Sequence, residues 1–247
     1  MVLVTSITDS SSLGLGGGAT PVPVVAAIYT GRGLDDQVAA IAPDVLGPAR
    51  LTSIIDDSII FDINRDGGLS PATTRRVLRY YRNAADAGAS VIFNTCSSVG
   101  EIVALGRCVV DVPIVRVDEP MAGAAVAGYE RIGVVATLPS TLGPTERLIA
   151  AKALELGRRV ELVAKVADGA YAALASKDGA AHDRLVAETA ASVAGQVQVI
   201  VLAQASMARI RHRLEEVAGV PVLTSLRSGL EAVRAALDQL VAPGVAR

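Results

Sequence analysis

A chain of 247 residues, 51% hydrophobic and only 19% charged, can bury a large core, which excludes wholesale disorder. Its net charge is −2 and its 23 basic residues are spread along the chain, which excludes the clustered footprint of a nucleic-acid binder. No apolar run reaches the ~18 residues that span a bilayer, and the N-terminus lacks the basic flank and apolar length of an export signal. No nucleic-acid or membrane partner is expected, and a cytoplasmic location is. Two cysteines, Cys96 and Cys108, make neither a disulfide framework nor, without nearby histidines, a zinc site.

Residues 1–21, rich in Ser, Gly and Thr over 8–20, read as a flexible arm. The glycines at 14–18 precede any strand, so they fail as a nucleotide loop. From Pro23, short β-branched runs alternate with helical stretches. Val24–Ile28, Val91–Asn94, Ile114–Val117, Ile132–Ala136, Val160–Val163, Val197–Leu202 and Val222–Leu223 read as buried strands. Segments 72–87, 143–156, 181–194 and 227–241 carry apolar residues at helical spacing, the first opened by Ser70-Pro71. This alternation predicts α/β lobes built on parallel sheets.

The chain also repeats itself. Val91-Ile-Phe-Asn-Thr-Cys-Ser-Ser98 runs on to Val112-Pro-Ile-Val115, and Val199-Ile-Val-Leu-Ala-Gln-Ala-Ser206 runs on to Val220-Pro-Val-Leu223, at an offset of 108 (199 − 91). Val24 to Tyr29 is placed on Ile132 to Thr137 at the same offset. Two pseudo-symmetric lobes are expected, with residues 22–118 (completed by 222–247) as the first and 119–221 as the second, the active site lying between them. Functional loops leave the carboxyl ends of parallel strands. Those ends are Tyr29-Thr30, Asp56-Asp57, 95–98, 137–141 and 203–206. Facing lobes bring 95–98 and 203–206 together, pairing Cys96 with Gln204 and Ser98 with Ser206.

Cys96 stands where an apolar strand breaks into Asn94-Thr-Cys-Ser-Ser98. Ser98-Val-Gly-Glu101 fits a capping box, which predicts a helix from Ser98 whose positive end favours a thiolate. The same N–H groups, with Ser97 and Ser98, suit a carboxylate or a developing enolate. Cys108 reads as structural. His182 and His212 lie on helices away from strand ends, so no Cys–His pair is expected. Asp118-Glu119 reads as a helix start or a hinge.

The duplicated pattern, with Thr95-Cys-Ser-Ser98, residues 112–121 (Val-Pro-Ile-Val-Arg-Val-Asp-Glu-Pro-Met) and 131–141 (Arg-Ile-Gly-Val-Val-Ala-Thr-Leu-Pro-Ser-Thr), resembles the aspartate/glutamate/hydantoin racemase superfamily from Val22 onward. The resemblance implies proton transfer at a carbon next to a carboxylate, with no metal or organic cofactor, on a small carboxylate substrate. In those racemases two cysteines serve opposite faces of the substrate. Cys96 matches the first, whereas the second falls in Ala203-Gln204-Ala205, and an amide is no acid or base near neutral pH. Cys96 is thus expected as acid/base or nucleophile, with Ser97, Ser98 and Thr137 holding the carboxylate and Gln204 orienting the substrate. Tyr29 and Thr30 are expected at the mouth, and Asn94, Thr95, Ala205 and Ser206 on the lining. The alternatives are a one-cysteine lyase or decarboxylase of the same superfamily, or a protein that binds a small carboxylate without chemistry. Association into a homo-oligomer is also compatible with the high apolar content.

Overall fold

The structure, a computed structural model, describes residues 22–241. The expected arm (1–21) and the last six residues lie outside them. The first half runs β1 (Val24–Tyr29), α1 (Leu34–Leu46), β2 (Arg50–Ile55), α2 (Ser58–Asp66), α3 (Pro71–Asp86), β3 (Val91–Asn94), α4 (Ile102–Gly106) and β4 (Ile114–Arg116). The second half runs α5 (Glu119–Gly128), β5 (Arg131–Ala136), α6 (Pro139–Glu155), β6 (Glu161–Val166), α7 (Ala170–Ala175), α8 (Gly179–Ala194), β7 (Val199–Leu202), α9 (Arg211–Ala218), β8 (Val222–Leu223) and α10 (Ser225–Val241). No described helix is long and apolar enough to cross a membrane.

The strands form two parallel four-stranded sheets of matching order, β2-β1-β3-β4 and β6-β5-β7-β8. The central strands are apolar on both faces because helices cover both. Edge strand β2 is half exposed along its length, which is why its sequence carries no buried-strand signal. Ser70 opens α3 as expected, its hydroxyl accepting the Thr73 N–H at 3.1 Å with Pro71 in the first turn.

Sheet register corrects one part of the repeat. Val25 lies opposite Val91, and Ile132 lies opposite Val199, so β1 maps onto β5 at an offset of 107 (132 − 25) rather than 108. A one-residue slip would turn every side chain of a strand to the other face. Only the 107 offset keeps Val25 and Ile132 on equivalent faces. It makes Thr30, not Tyr29, the counterpart of Thr137.

Each lobe is completed by a helix that follows the other lobe's last strand. Helix α5 follows β4 of the first sheet but packs Met121, Ala122, Ala125 and Val126 on β5 and β7 of the second. Helix α10 follows β8 but packs Leu226, Leu230, Val233 and Leu237 against β1, β3 and α1 of the first. Val222–Leu223, expected with the first lobe, instead extend the second sheet beside β7, as β4 does beside β3. Among the described residues of the 222–247 segment, α10 is what packs on the first sheet. The crossing from the first lobe into α5 holds a buried bidentate pair, Arg116 to Asp118, at 2.6 and 3.0 Å.

Helix α10 lies so close to that crossing that a Cβ at Gly229 would sit 2.8 Å from the Val117 carbonyl oxygen. Gly123 of α5 faces open space. Gly229→Ala is therefore expected to lower the unfolding free energy by about 1–3 kcal/mol through overpacking. Gly123→Ala should raise it by up to ~1 kcal/mol through helix propensity. Urea unfolding of both variants checks the pair.

Candidate active site

The site is built where β3 and β7 end. Cys96 keeps an extended backbone (φ −119°, ψ 120°) and leads into a single 3-10 turn, Ser97–Val99. Gln204 does the same in the other lobe (φ −117°, ψ 130°), leading into a 3-10 turn over Ala205–Ile210. The first turn is pinned from below. Thr95 donates both its N–H (3.2 Å) and its hydroxyl (2.8 Å) to the Ile28 carbonyl. The buried Asn94 amide donates to the Cys96 carbonyl at 3.0 Å and accepts from the Tyr81 hydroxyl at 3.0 Å.

The expected capping box does not form. Helix α4 starts only at Ile102, and no side chain caps the turn before it. Both of the box's polar residues reach the other lobe instead. The Ser98 and Thr141 hydroxyls share a hydrogen bond at 3.0 Å, and Arg147 clasps the Glu101 carboxylate at 2.6 and 3.2 Å. Ser140 adds a third bridge, donating to the Asn64 side-chain oxygen at 2.7 Å. An i,i+3 box is worth about 1 kcal/mol at a helix end, and cross-lobe hydrogen bonds here take its place.

Between the lobes lies a cavity of about 740 Å³. Thr30, Thr95, Cys96, Ser97 and Ser98 line its first-lobe side, and Gln204, Ala205 and Ser206 line the second. Three residues expected on the lining are elsewhere. Tyr29 is fully buried in the first-lobe core, where burial pushes its phenol up to about 12. Asn94 is consumed in holding the Cys96 turn. Thr137 is consumed by Gln204, its N–H donating to the amide oxygen at 2.7 Å and its hydroxyl accepting from the amide nitrogen at 2.6 Å. The lining also includes groups not singled out from the sequence, Arg32, Leu34, Ile60, Tyr171 and Leu174 of α7 and Lys177 just beyond it, together with Leu138 and Thr141 of the 137–141 strand end. Thr141 and Asp57 belong to strand-end segments and were within reach of the topology. Helix α7 has only six residues, too few for a periodic signal.

The chemistry of the cavity is sharply divided. Its charges sit at the rim, where Arg32 and Asp57 pair at 2.6 Å in solvent and contribute little stability. The rest of its lining is neutral, with hydroxyls, one amide and one thiol among apolar side chains such as Leu34, Ile60, Leu138 and Leu174. The Ser97 hydroxyl is buried without a hydrogen-bond partner. Cys96 departs from expectation: burial pushes its thiol above the ordinary cysteine range. The Thr30 hydroxyl, the N–H groups of Ser98 and Val99 and the Ser98 hydroxyl all favour the thiolate but do not outweigh desolvation. A single three-residue turn carries little of the aligned dipole a long helix would supply.

No described cluster of His, Cys, Asp and Glu could hold a metal ion. His182 is buried beside Asp183 at 2.8 Å, outside the cavity lining, and His212 is exposed. Cys108 is exposed at the end of α4.

The family model described as Asp/Glu/Hydantoin racemase matches residues 32–233. No curated protein matches the chain in sequence. Among solved structures, an allantoin racemase from Klebsiella pneumoniae is 19% identical over 90% of each chain, with a TM-score of 0.67. A glutamate racemase from Francisella tularensis, solved with D-glutamate, is 14% identical over 92% of this chain and 84% of its own, with a TM-score of 0.70. The aspartate racemase of Picrophilus torridus is 13% identical over 86% and 94%, with a TM-score of 0.68. At these identities the likeness is one of fold.

The raised thiol has a direct readout. Alkylation of Cys96 by iodoacetamide, followed by peptide mass spectrometry, should still accelerate as pH climbs past ~8.5, the ordinary cysteine value. A rate already flat below that pH would mean that the surrounding donors win over burial.

Proposed function

This chain belongs to the Asp/Glu/hydantoin racemase family, and from that premise we propose that it moves a proton at a carbon next to a carboxylate, with Cys96 as acid and base. What carries the reading is the position of Cys96: a thiol in the neutral lining of the interlobe cavity, ringed by hydroxyl and N–H donors. The substrate's carboxylate is held at the Ser97–Val99 turn, whose backbone N–H groups stabilise the enediolate as its charge develops. The Cys96 thiolate takes the α-hydrogen. A thiol pushed up by desolvation is scarcer as thiolate but a stronger base once ionised, which suits a weak carbon acid. The reaction is proposed to need no metal or organic cofactor.

Gln204 supports a second reading. Its amide is clasped at both ends by Thr137, and what remains of its hydrogen-bonding capacity cannot exchange a proton as an acid or base. A lyase that expels a fragment and protonates the resulting enolate from one face needs no second acid.

The test is a panel in heavy water, with enantiopure glutamate, aspartate and benzylhydantoin beside phenylmalonate. Deuterium entering the chiral probes with inversion supports racemisation. One-way release of carbon dioxide from phenylmalonate supports the lyase. Binding of these compounds without exchange or release would leave a binding protein and contradict both.

A further inference from the structure

The cavity around Cys96 has an apolar wall that serves no core. Ile60 of α2, Leu138 after β5, and Tyr171 and Leu174 of α7 all line it. Among the described residues none of these four joins an apolar core, whereas Leu34, which also lines the cavity, packs against the first-lobe core. Tyr171 and Leu174 are 36% and 40% exposed. A single exposed apolar residue is ordinary, but several from both lobes around one cavity mark a surface kept apolar for a ligand. At about 740 Å³ the cavity has room for a bulky one.

The charges of the lining point the same way. Among the described lining residues Asp57 is the only carboxylate, half-exposed and already paired with Arg32 at 2.6 Å. An α-ammonium group brought in beside Cys96 would lose its water without gaining a free carboxylate. The cations of the lining are Arg32, held by Asp57, and Lys177, which is exposed. Solvent weakens any pair that Lys177 forms with a carboxylate on a substrate's side group. We propose that the site takes α-substituted acids whose substituent is apolar and whose α-nitrogen, where there is one, is uncharged. The side group lies on Ile60, Leu138, Tyr171 and Leu174 while the carboxylate is held at the Ser97–Val99 turn. This rests on the α-proton chemistry proposed above, with the selection made at binding. Zwitterionic glutamate and aspartate are disfavoured twice, by an ammonium without a partner and by a second carboxylate against an apolar wall.

Four racemic compounds separate the two effects: phenylalanine, glutamate and the N-carbamoyl form of each. Calorimetry on the unmodified protein measures their affinities, and with racemates no net inversion adds heat. Deuterium entry in heavy water measures the chemistry on the same four. N-Carbamoylphenylalanine should bind at least ~10-fold tighter than N-carbamoylglutamate, through burial of its ring. It should also bind at least ~10-fold tighter than phenylalanine, because it brings no ammonium. Deuterium exchange should follow the same order in kcat/KM. Leu174 supports no core, so Leu174→Arg should leave the fold intact and reduce the first ratio at least ~3-fold, by removing apolar contact and adding a cation. Equal or tighter binding of N-carbamoylglutamate or phenylalanine, binding of none of the four, or an unchanged ratio in folded Leu174→Arg would overturn the proposal. If glutamate exchanges fastest, the substrate class is wrong and the α-proton chemistry stands. If the affinities follow the expected order and nothing exchanges, the ligand class stands and the α-proton chemistry falls.

Discussion

The reciprocal exchange of helices between lobes is the constraint on which the site depends. Each sheet leaves one apolar face to be covered by a helix that enters from the other lobe: α5 on the second, α10 on the first. Burying a large aliphatic side chain is worth about 1.5–3 kcal/mol, so Leu226, Leu230, Val233 and Leu237 alone represent about 6–12 kcal/mol. A typical domain has only about 5–15 kcal/mol of net stability. Each lobe's core is therefore closed by a helix that the other lobe's last strand leads into, and the two crossings tie the lobes together. The Ser98–Thr141 and Glu101–Arg147 bridges act inside that frame. They set the cleft's width more than its existence.

Within the frame, two nearly identical backbones carry different chemistry. Cys96 and Gln204 share their extended conformation and the 3-10 turn that follows. Each sits beside the threonine that ends the neighbouring central strand, Thr30 for the thiol and Thr137 for the amide. The thiol retains a proton it can give and take. The amide is locked by two short hydrogen bonds and has none to spare. One half of a symmetric scaffold thus presents a titratable thiol and the other half an amide that does not titrate.

Much of this was legible in the sequence. Alternating strands and helices, the duplication, the cavity between strand ends and the place of Cys96 follow from apolar runs and their spacing. The illegible parts share a physical cause. Ser98-Val-Gly-Glu101 has the local pattern of a cap, yet its two polar residues find partners 43 and 46 residues away. Tyr29 and Asn94 end strands, but one turns into the core and the other under the turn, a choice set by pleat and packing. The β1 repeat slipped by one residue because apolar β-branched runs align equally well at either offset. The raised Cys96 thiol depends on how much protein surrounds the sulfur, which no local pattern records.

The central claim is that Cys96, and not the chain's other thiol, is the reacting group. Its most direct measurement is the turnover of Cys96→Ala against that of Cys108→Ala on whichever probe the unmodified protein converts, with folding verified by circular dichroism. Loss of an essential acid/base predicts a fall of at least ~10²–10⁴-fold for Cys96→Ala and no change for Cys108→Ala. A folded Cys96→Ala protein that keeps its activity would contradict the account.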